Sequence, residues 1–307
     1  MRLQGICCAA AVLAVSWMLQ ARCPAAEHNV PPEGFVALFN GQNLDGWWGA
    51  KSEDPRSYVN LPADELAAKK AASMDDVREH WRVEGGELVN NGTGLYLTTD
   101  KFYSDFELLI SYKMVPGADS GIYLKGVPQV QIWDSNDETK FKHGADKGSG
   151  GLWNNPAGTP GKDPLVKADN PIGQWDTMRI VMTGERVSIW LNEKLIIDHA
   201  RLYNYYDKKL PEAERRPLVK AGPIQLQTHG REMRWRDIFI REIGSDEANR
   251  ILASHADDGF KSVFNGKDLT GWQGATDNYM VEDGSITCKP SKGGTIFTDE
   301  QFADFAV

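Results

Sequence analysis

The stretch Phe106-Glu107-Leu108-Leu109-Ile110-Ser111-Tyr112-Lys113-Met114 decides the fold class of this chain. Apolar side chains occupy every second position from Phe106 to Met114, while Glu107, Ser111 and Lys113 stand between them. A period of two with one apolar face is typical of a half-buried β-strand. The sequence therefore predicts a strand over residues 105–114, with Glu107 on the face opposite the core.

Further short apolar segments follow this strand and are separated by turn residues. Thr183-Gly184-Glu185-Arg186 and Leu191-Asn192-Glu193-Lys194 are typical of hairpin turns. One clear helix is predicted over residues 62–80, where Ala and Glu are frequent. Closely spaced strands joined by turns indicate an all-β sandwich or jelly roll. The further predicted strands cover residues 121–125, 130–133, 177–183, 187–191, 195–198, 224–228 and 234–241.

An internal repeat predicts the domain organisation. The segment Phe39-Asn40-Gly41-Gln42-Asn43-Leu44-Asp45-Gly46-Trp47 recurs as Phe264-Asn265-Gly266-Lys267-Asp268-Leu269-Thr270-Gly271-Trp272. Two later blocks, residues 81–88 and 99–106, match residues 279–286 and 298–305 in the same order. Ordered self-similarity of this kind indicates a repeated unit. We expect one complete domain over residues 33–243, a linker over 244–258, and the truncated start of a second similar domain over 259–307.

The first 26 residues predict export. Arg2 precedes a mostly apolar run over residues 6–19, and small residues follow up to Ala26. This arrangement is typical of a secretory signal peptide, and the alternative is an uncleaved N-terminal anchor. The predicted location is periplasmic or extracellular. Removal of the segment leaves Cys288 as the one cysteine, so the mature chain is expected to form no internal disulfide, and no later segment is apolar enough to span a membrane.

Composition and motifs exclude several classes of function. With 307 residues, 41% hydrophobic and 25% charged, the chain has the balance of a soluble globular protein. Its net charge of −9 argues against a general nucleic-acid partner. Zinc-protease, phosphate-loop and serine-elbow motifs are absent, and the six histidines lack metal-ligand spacing. We therefore predict no cofactor. Calcium binding stays open but has no support from a motif, because residues 134–138 match the pattern of a calcium-binding loop poorly. The oligomeric state also stays open.

The non-core faces of several predicted strands carry amide, carboxylate, imidazole and aromatic groups, whereas a solvated face would carry mostly Lys, Glu, Thr and Ser. Amides and carboxylates pair with hydroxyl groups, and aromatic rings pack on the C–H face of a sugar. This pattern predicts a groove for a polyhydroxylated ligand. The alternative is a set of satisfied polar groups beneath loops. The residues are Glu107, Tyr123, Lys125, Gln129, Gln131, Trp133, Asp134, Gln225, Gln227 and His229.

Two long loops interrupt the strand pattern. Residues 135–171 are rich in Gly, Pro, Asn and Asp and contain Trp153, while residues 201–222 contain Tyr203, Tyr205 and Tyr206. Loops of this length are either functional or mobile. Trp153 is predicted to be either a platform for a sugar ring or a cap on the edge of the core.

An ordered set of motifs now resembles a known family. It comprises Phe-Asn-Gly-x-x-Leu-x-Gly-Trp at residues 39–47, Ser-Gly-Ile-Tyr-Leu-Lys-Gly at 120–126, Val-Gln-Ile-Trp-Asp at 130–134, and Gly-Pro-Ile-Gln-Leu-Gln-Thr-His-Gly at 222–230 followed by Arg236-Asp237-Ile238. These motifs resemble the 3-keto-disaccharide hydrolase family over residues 35–243, and again from 260. The resemblance implies a concanavalin A-like jelly roll. Lys125, Gln129 and Asp237 stand where the family commonly has Arg, Glu and Asn.

The resemblance also implies a hydrolase or lyase acting on 3-keto-glycosides, and the predicted signal peptide implies that it is secreted. A ketone at C3 acidifies the hydrogen on C2, so one base and one acid suffice for elimination, and water then adds. We expect Glu107 or Asp134 as base, and His229 as acid or base. Tyr123, Lys125, Gln129, Gln131, Trp133, Trp153, Gln227 and Arg236 are expected to bind the substrate. The alternatives are a non-catalytic carbohydrate-binding module and an adhesion or scaffold domain.

Overall fold

The computed structural model describes residues 28–255 and 262–302. The predicted signal peptide at residues 1–26 lies outside the described residues. Between residues 28 and 243 the structure has thirteen strands: β1 (Val36–Ala37), β2 (Trp47–Ala50), β3 (Trp81–Glu84), β4 (Glu87–Asn90), β5 (Tyr96–Thr99), β6 (Phe106–Met114), β7 (Asp119–Leu124), β8 (Val127–Trp133), β9 (Trp175–Thr183), β10 (Arg186–Leu191), β11 (Lys194–Arg201), β12 (Gln225–Leu226) and β13 (Met233–Glu242). Each long strand predicted from sequence is present, with bounds shifted by a few residues.

These strands form two antiparallel sheets that share one core. The larger sheet has eight strands in the order β11-β10-β9-β6-β13-β4-β3, with β1 also paired to β13. The smaller sheet has the order β2-β5-β12-β7-β8. Because each sheet turns its apolar residues toward the other, the fold is the predicted all-β sandwich.

The alternation seen in the sequence marks the inner face of each sheet. Phe106, Leu108 and Ile110 on β6 are fully buried in the same cluster as Val130 and Ile132 on β8. Side chains at the intervening positions therefore lie on the outer faces. The outer face of the eight-stranded sheet and the outer face of the five-stranded sheet point in opposite directions.

The predicted helix is α1 (Ala63–His80), which covers the β2 end of the five-stranded sheet. Ser73 and Val77 are its buried residues. The Ser73 Oγ accepts a hydrogen bond of 2.9 Å from the backbone N–H of Gly49 in β2. A second helix, α2 (Ser245–Ser254), lies within the predicted linker and buries Ala248 against Val181 and Ile243.

Both predicted hairpin turns are present. Thr183 pairs with Arg186 at the end of the β9–β10 hairpin, and Leu191 pairs with Lys194 in the β10–β11 hairpin. Between Leu191 and Lys194, Asn192 and Glu193 have φ angles of 48° and 67°. Two consecutive positive φ values characterise the type I′ turn, whose twist matches that of a right-handed β-ribbon.

The loop at residues 135–171 runs back along the edge strand β8. Gly150 N–H donates to the Gln131 carbonyl at 2.7 Å, and Gln131 N–H donates to the Gly151 carbonyl at 2.9 Å. Gly150 has a φ of +99°, and a Cβ there would collide with Ile196. The pairing satisfies the free edge of β8 and brings the loop over the outer face of the smaller sheet.

The loop at residues 201–222 is organised by one buried carboxylate. The Asp207 side chain is 1% exposed and accepts two hydrogen bonds of 2.8 Å from the Arg56 guanidinium. It also binds the side chain and the backbone N–H of Arg216. Hydrogen bonds from Arg56, and next from Arg216, hold the pKa of Asp207 far below its usual range. The carboxylate therefore stays ionised and fixes the path of the loop.

The described residues after position 261 form four short strands: β14 (Trp272–Gly274), β15 (Tyr279–Glu282), β16 (Ser285–Cys288) and β17 (Ile296–Thr298). β14 pairs with β17, as β2 pairs with β5, and β15 pairs with β16, as β3 pairs with β4. Trp272 donates its indole N–H to the Val263 carbonyl, as Trp47 does to that of Leu38. No helix in the described part of the chain has the length and apolar character needed to cross a bilayer.

We expect Asp207→Asn to lower the free energy of unfolding by about 2–3 kcal/mol. This is less than the loss expected on breaking a fully buried ion pair, because Arg216 is exposed. The loss should be largest near neutral pH and shrink below the unfolded-state carboxyl pKa of about 3.9, since a depressed folded-state pKa stabilises the ionised form. Urea unfolding at two pH values measures this. Asp146→Asn, at an exposed position, is the matched control. Equal stability of the two variants would contradict the assignment.

Candidate active site

A cavity of about 220 Å³ opens on the outer face of the five-stranded sheet. Strands β7 and β8 and the end of β12 form its floor, and the loop at residues 135–171 forms its wall. The lining residues are Asp119, Gln129, Gln131, Trp133, Lys140, His143, Trp153, Gln227 and His229. Amide, aromatic, carboxylate and imidazole groups thus converge at one place.

Three glutamine side chains form the floor and bind one another. Gln129 Nε2 donates to Gln131 Oε1 at 2.5 Å, and the amides of Gln129 and Gln227 lie 3.3–3.4 Å apart. Gln131 Nε2 donates to Asp119 Oδ1 at 2.8 Å. Gln131 is therefore used in holding Asp119, whereas the long contacts of Gln227 leave its amide able to turn to a ligand.

Two tryptophans supply the apolar surface of the cavity. The rings of Trp133 and Trp153 meet edge to face with centroids 6.5 Å apart. Trp133 donates its indole N–H to the Gly148 carbonyl at 2.9 Å, and Trp153 donates to the His143 carbonyl at 3.2 Å. Because both indole N–H groups are hydrogen-bonded within the protein, the rings offer mainly their C–H and π surfaces to a ligand.

An aspartate and a histidine form the titratable centre of the cavity. His229 Nδ1 lies 3.5 Å from Asp119 Oδ2. Lys140 Nζ lies 3.6 Å from the same carboxylate oxygen and donates to the Gly117 carbonyl at 3.0 Å. The His229 side chain is 60% exposed, whereas that of Asp119 is 18% exposed. The imidazole is thus accessible to a ligand while its partner is held by the protein.

The local charges shift both groups toward an ion pair. Interaction with Asp119 raises the pKa of His229, and this outweighs the opposing effects of partial burial and the Lys140 ammonium. Burial alone would raise the pKa of Asp119, but the combined interactions with His229, Gln131 and Lys140 lower it. Asp119 therefore remains a carboxylate, and His229 is a stronger base than an isolated imidazole.

The structure brings together six of the residues predicted from sequence. Gln129, Gln131 and Trp133 come from alternate positions of β8, Gln227 and His229 follow β12, and Trp153 comes from the long loop. Trp153 lines the cavity, as its predicted role as a platform for a sugar ring requires.

Glu107 and Arg236 do not join this site, and the expectation that they share its groove is wrong. Both lie on the outer face of the eight-stranded sheet, on β6 and β13. Glu107 forms ion pairs with Arg179 at 2.6 Å and Arg241 at 2.5 Å. The guanidinium of Arg236 lies 4.0 Å from the ring centroid of Trp175. Alternation along β6 places Glu107 on an outer face, but the outer faces of two stacked sheets point in opposite directions.

Lys125 and Asp134 lie near the smaller sheet, but they do not line the cavity. Lys125 is 3% exposed and donates to the Gly184 carbonyl at 2.9 Å. Burial lowers its pKa. Asp134 accepts hydrogen bonds from the backbone N–H groups of Gly117 and Asn136 at 2.8 and 3.0 Å. The predicted roles of these residues in substrate binding and as a base are not supported by their positions.

Tyr123 supports the floor from outside the cavity. Its ring is 3% exposed and packs edge to face against Tyr96 with centroids 5.3 Å apart. The Tyr96 hydroxyl lies 3.5 Å from Gln227 Nε2. Burial raises the pKa of Tyr123, so its phenol stays protonated.

Sequence reasoning missed Asp119, Lys140 and His143. Asp119 could have been found, because it precedes Gly121 and Tyr123 at the same period of two on β7. Lys140 and His143 belong to a short 3₁₀ helix, Glu138–His143, within the loop. No periodicity in the sequence relates that helix to the sheet.

The donor set gives no sign of a metal centre. Within residues 28–255 and 262–302, no group of three or more His, Cys, Asp or Glu side chains is arranged to hold a metal ion. The calcium ion left open by the sequence stays an open prediction.

We expect Asp119→Asn to lower the pKa of His229, because the substitution removes the interaction that raises it and leaves the opposing Lys140 charge in place. Titration of the imidazole signals by NMR measures this shift. Lys140→Met should move the pKa of His229 in the opposite direction. An unchanged His229 pKa in Asp119→Asn would show that the two groups do not interact in solution.

Comparison with known proteins places the chain in a family. Two structures of candidate glycosyl hydrolases from Parabacteroides distasonis are similar to this chain. The first has 20% sequence identity and a TM-score of 0.49, and the match covers 71% of this chain and 100% of that structure's chain. The second has 22% identity and a TM-score of 0.47, and the match covers 69% of this chain and 85% of that structure's chain. The carbohydrate-binding module CBM66 from Bacillus subtilis has 12% identity and a TM-score of 0.32 over 53% of this chain and 91% of its own. No curated protein matches the sequence. The sequence model of the 3-keto-alpha-glucoside-1,2-lyase-like domain matches residues 34–241 and 259–307, so the chain belongs to that family.

Proposed function

We propose that this protein is an exported lyase and hydrolase of 3-keto-glycosides, with the cavity on the five-stranded sheet as its sugar site. The observation that carries the proposal is the Asp119–His229 pair beside the ring surfaces of Trp133 and Trp153. A base next to an apolar platform and the loosely held amide of Gln227 suits a sugar whose C2 hydrogen must be removed. Membership of the family supports the same substrate class.

Binding in this proposal uses the two kinds of surface that the cavity offers. The C–H face of the sugar ring packs on Trp133 or Trp153, since their indole N–H groups are already bonded to backbone carbonyls. The amide of Gln227 donates to the ketone oxygen at C3, where negative charge develops. Preformed donors at such a position stabilise the transition state without reorganisation.

The chemistry needs one base that becomes an acid. The neutral imidazole of His229 takes the proton from C2, and the electron pair passes to the C3 oxygen as an enolate. When the carbonyl re-forms, a double bond forms between C1 and C2, and the C1–O bond breaks with its electrons on the leaving oxygen. The imidazolium returns the proton to that oxygen. Water then adds across the double bond, with hydroxyl to C1 and hydrogen to C2, which gives the free 3-keto sugar.

Asp119 is the positioning residue for this base. Its carboxylate faces Nδ1, so Nδ1 carries the hydrogen in the neutral ring and Nε2 keeps the lone pair that accepts the substrate proton. It also stabilises the imidazolium that forms. Gln131 and Lys140 hold the carboxylate in place through contacts of 2.8 and 3.6 Å.

We expect His229→Gln to lower kcat/KM on a 3-keto-glucoside by about a hundredfold or more, because it removes the general base. Wild-type activity should rise with pH as His229 loses its proton, and Asp119→Asn should move that midpoint to lower pH. Product release from 3-keto-trehalose, followed by chromatography, measures the rate. His28→Gln is the matched histidine control outside the cavity.

Glu107→Gln distinguishes this site from the one expected from sequence alone. The variant should keep wild-type activity, because Glu107 lies on the other sheet. Loss of activity in Glu107→Gln with full activity in His229→Gln would overturn the proposal.

The second candidate function is a carbohydrate-binding module without turnover. The interlocked amides of Gln129 and Gln131 favour it, because a floor whose hydrogen bonds are largely satisfied binds mainly through aromatic surfaces. In that case the protein binds trehalose and 3-keto-trehalose and releases no product from either.

We expect Trp153→Ala to weaken saccharide binding by about tenfold, or about 1.4 kcal/mol, under either function, because it removes one ring surface. Calorimetry on the inactive His229→Gln background measures binding alone. Trp190→Ala, on the eight-stranded sheet, is the matched control. Unchanged affinity in Trp153→Ala would exclude this cavity as the sugar site.

A further inference from the structure

A second cavity, of about 280 Å³, lies where the two long loops meet. The loop at residues 135–171 contributes Asn154, and the loop at residues 201–222 contributes Tyr203, Tyr205, Lys208 and Arg215. None of these residues lines the first cavity, although Asn154 directly follows Trp153. Two of the three tyrosines of the loop at residues 201–222, Tyr203 and Tyr205, are thereby brought to one place.

The cavity is built on fixed backbone. Asn155 joins the two loops, since its Nδ2 donates to the Arg201 carbonyl at 2.7 Å and its Oδ1 accepts from Tyr203 N–H at 3.1 Å. The Asn204 side chain binds Asp207, the buried carboxylate that Arg56 holds in place. A cavity whose walls are tied by buried hydrogen bonds is preorganised for a ligand.

Several polar groups in this cavity are free to bind. Among the described residues, the hydroxyls of Tyr203 and Tyr205 and the amide of Asn154 have no hydrogen-bond partner. Lys208 Nζ lies 3.7 Å from the ring centroid of Tyr205 and has no carboxylate partner among the side chains that the structure describes. Arg215 uses its Nε on the Leu210 carbonyl, which leaves the outer guanidinium nitrogens unpaired among those residues.

The charge of the cavity is opposite to that of the whole chain. Among the described side chains, its lining includes Lys208 and Arg215 and no carboxylate. The loop at residues 201–222 carries six Lys or Arg against three Asp or Glu, whereas the chain has a net charge of −9. A local cation pair in an acidic protein attracts anions selectively.

We propose that this second cavity binds an acidic saccharide, with the sugar ring against Tyr203 and Tyr205 and its anionic substituent on Lys208 and Arg215. Tyrosine rings and hydroxyls suit a sugar, and the two cations suit a carboxylate or sulfate group on it. The proposal does not depend on catalysis in the first cavity. It gives the protein a second point of attachment to a charged glycan.

The experiment titrates the full chain with trigalacturonate, with a singly sulfated trisaccharide, and with neutral maltotriose by calorimetry at low salt. We expect at least one acidic probe to bind tenfold or more tighter than maltotriose, and the stronger of the two identifies the anionic group. Equal binding of all three, or no binding, would overturn the proposal.

Variants assign the binding to the cavity. Lys208→Gln combined with Arg215→Gln should weaken binding of the acidic probe by tenfold or more. Lys209→Gln combined with Lys220→Gln removes the same charge from exposed positions of the same loop and should retain binding. Equal losses in the two double variants would show a general charge effect and contradict the assignment. His229→Gln should leave this binding intact, so failure of the proposed catalysis and failure of this site can be distinguished.

Discussion

The shared core of the two sheets is the constraint on which the rest of the structure depends. Each sheet buries one apolar face against the other, as Ile110 on β6 and Ile132 on β8 illustrate. The polar side chains that stand between the apolar positions of a strand then lie on one of two outer faces that point away from each other. A site built from strand residues can therefore draw on only one sheet. Gln131 and Gln227 satisfy this condition together, and Glu107 cannot join them.

Loops turn the outer face of the smaller sheet into a site. Backbone pairing of Gly150 and Gly151 with Gln131 holds the loop at residues 135–171 against β8, and that loop brings Trp153 and Lys140 to the cavity. The Lys140 ammonium then contributes to the pKa balance between Asp119 and His229. A second loop, fixed by buried Asp207, forms a separate cavity of opposite charge to the chain. Both cavities thus depend on loops that carry no periodic signal.

Much of the fold could be predicted, because alternation and turn residues act over short distances in the sequence. The strand over residues 105–114, the helix over 62–80 and both hairpin turns were predicted with nearly the observed bounds. The site was predicted in part. Alternation assigned Gln129, Gln131 and Trp133 to an outer face, but it assigned Glu107 to an outer face by the same rule, and it contains no information on which sheet each strand joins. Lys125 illustrates a second limit, because its Nζ turns back toward Gly184 in a neighbouring hairpin.

The sequence by itself determined the β-sandwich class, the inner face of several strands and the family resemblance, because these follow from local periodicity and from ordered motifs. The tertiary structure alone decided that Asp119 and His229 form a pair, that Glu107 is a partner of Arg179 and Arg241, and that Tyr203 and Lys208 share a cavity. The physical reason is that electrostatic pairing and cavity shape depend on distances between residues far apart in the chain. Those distances are set by strand order and loop packing, which no short stretch of sequence encodes.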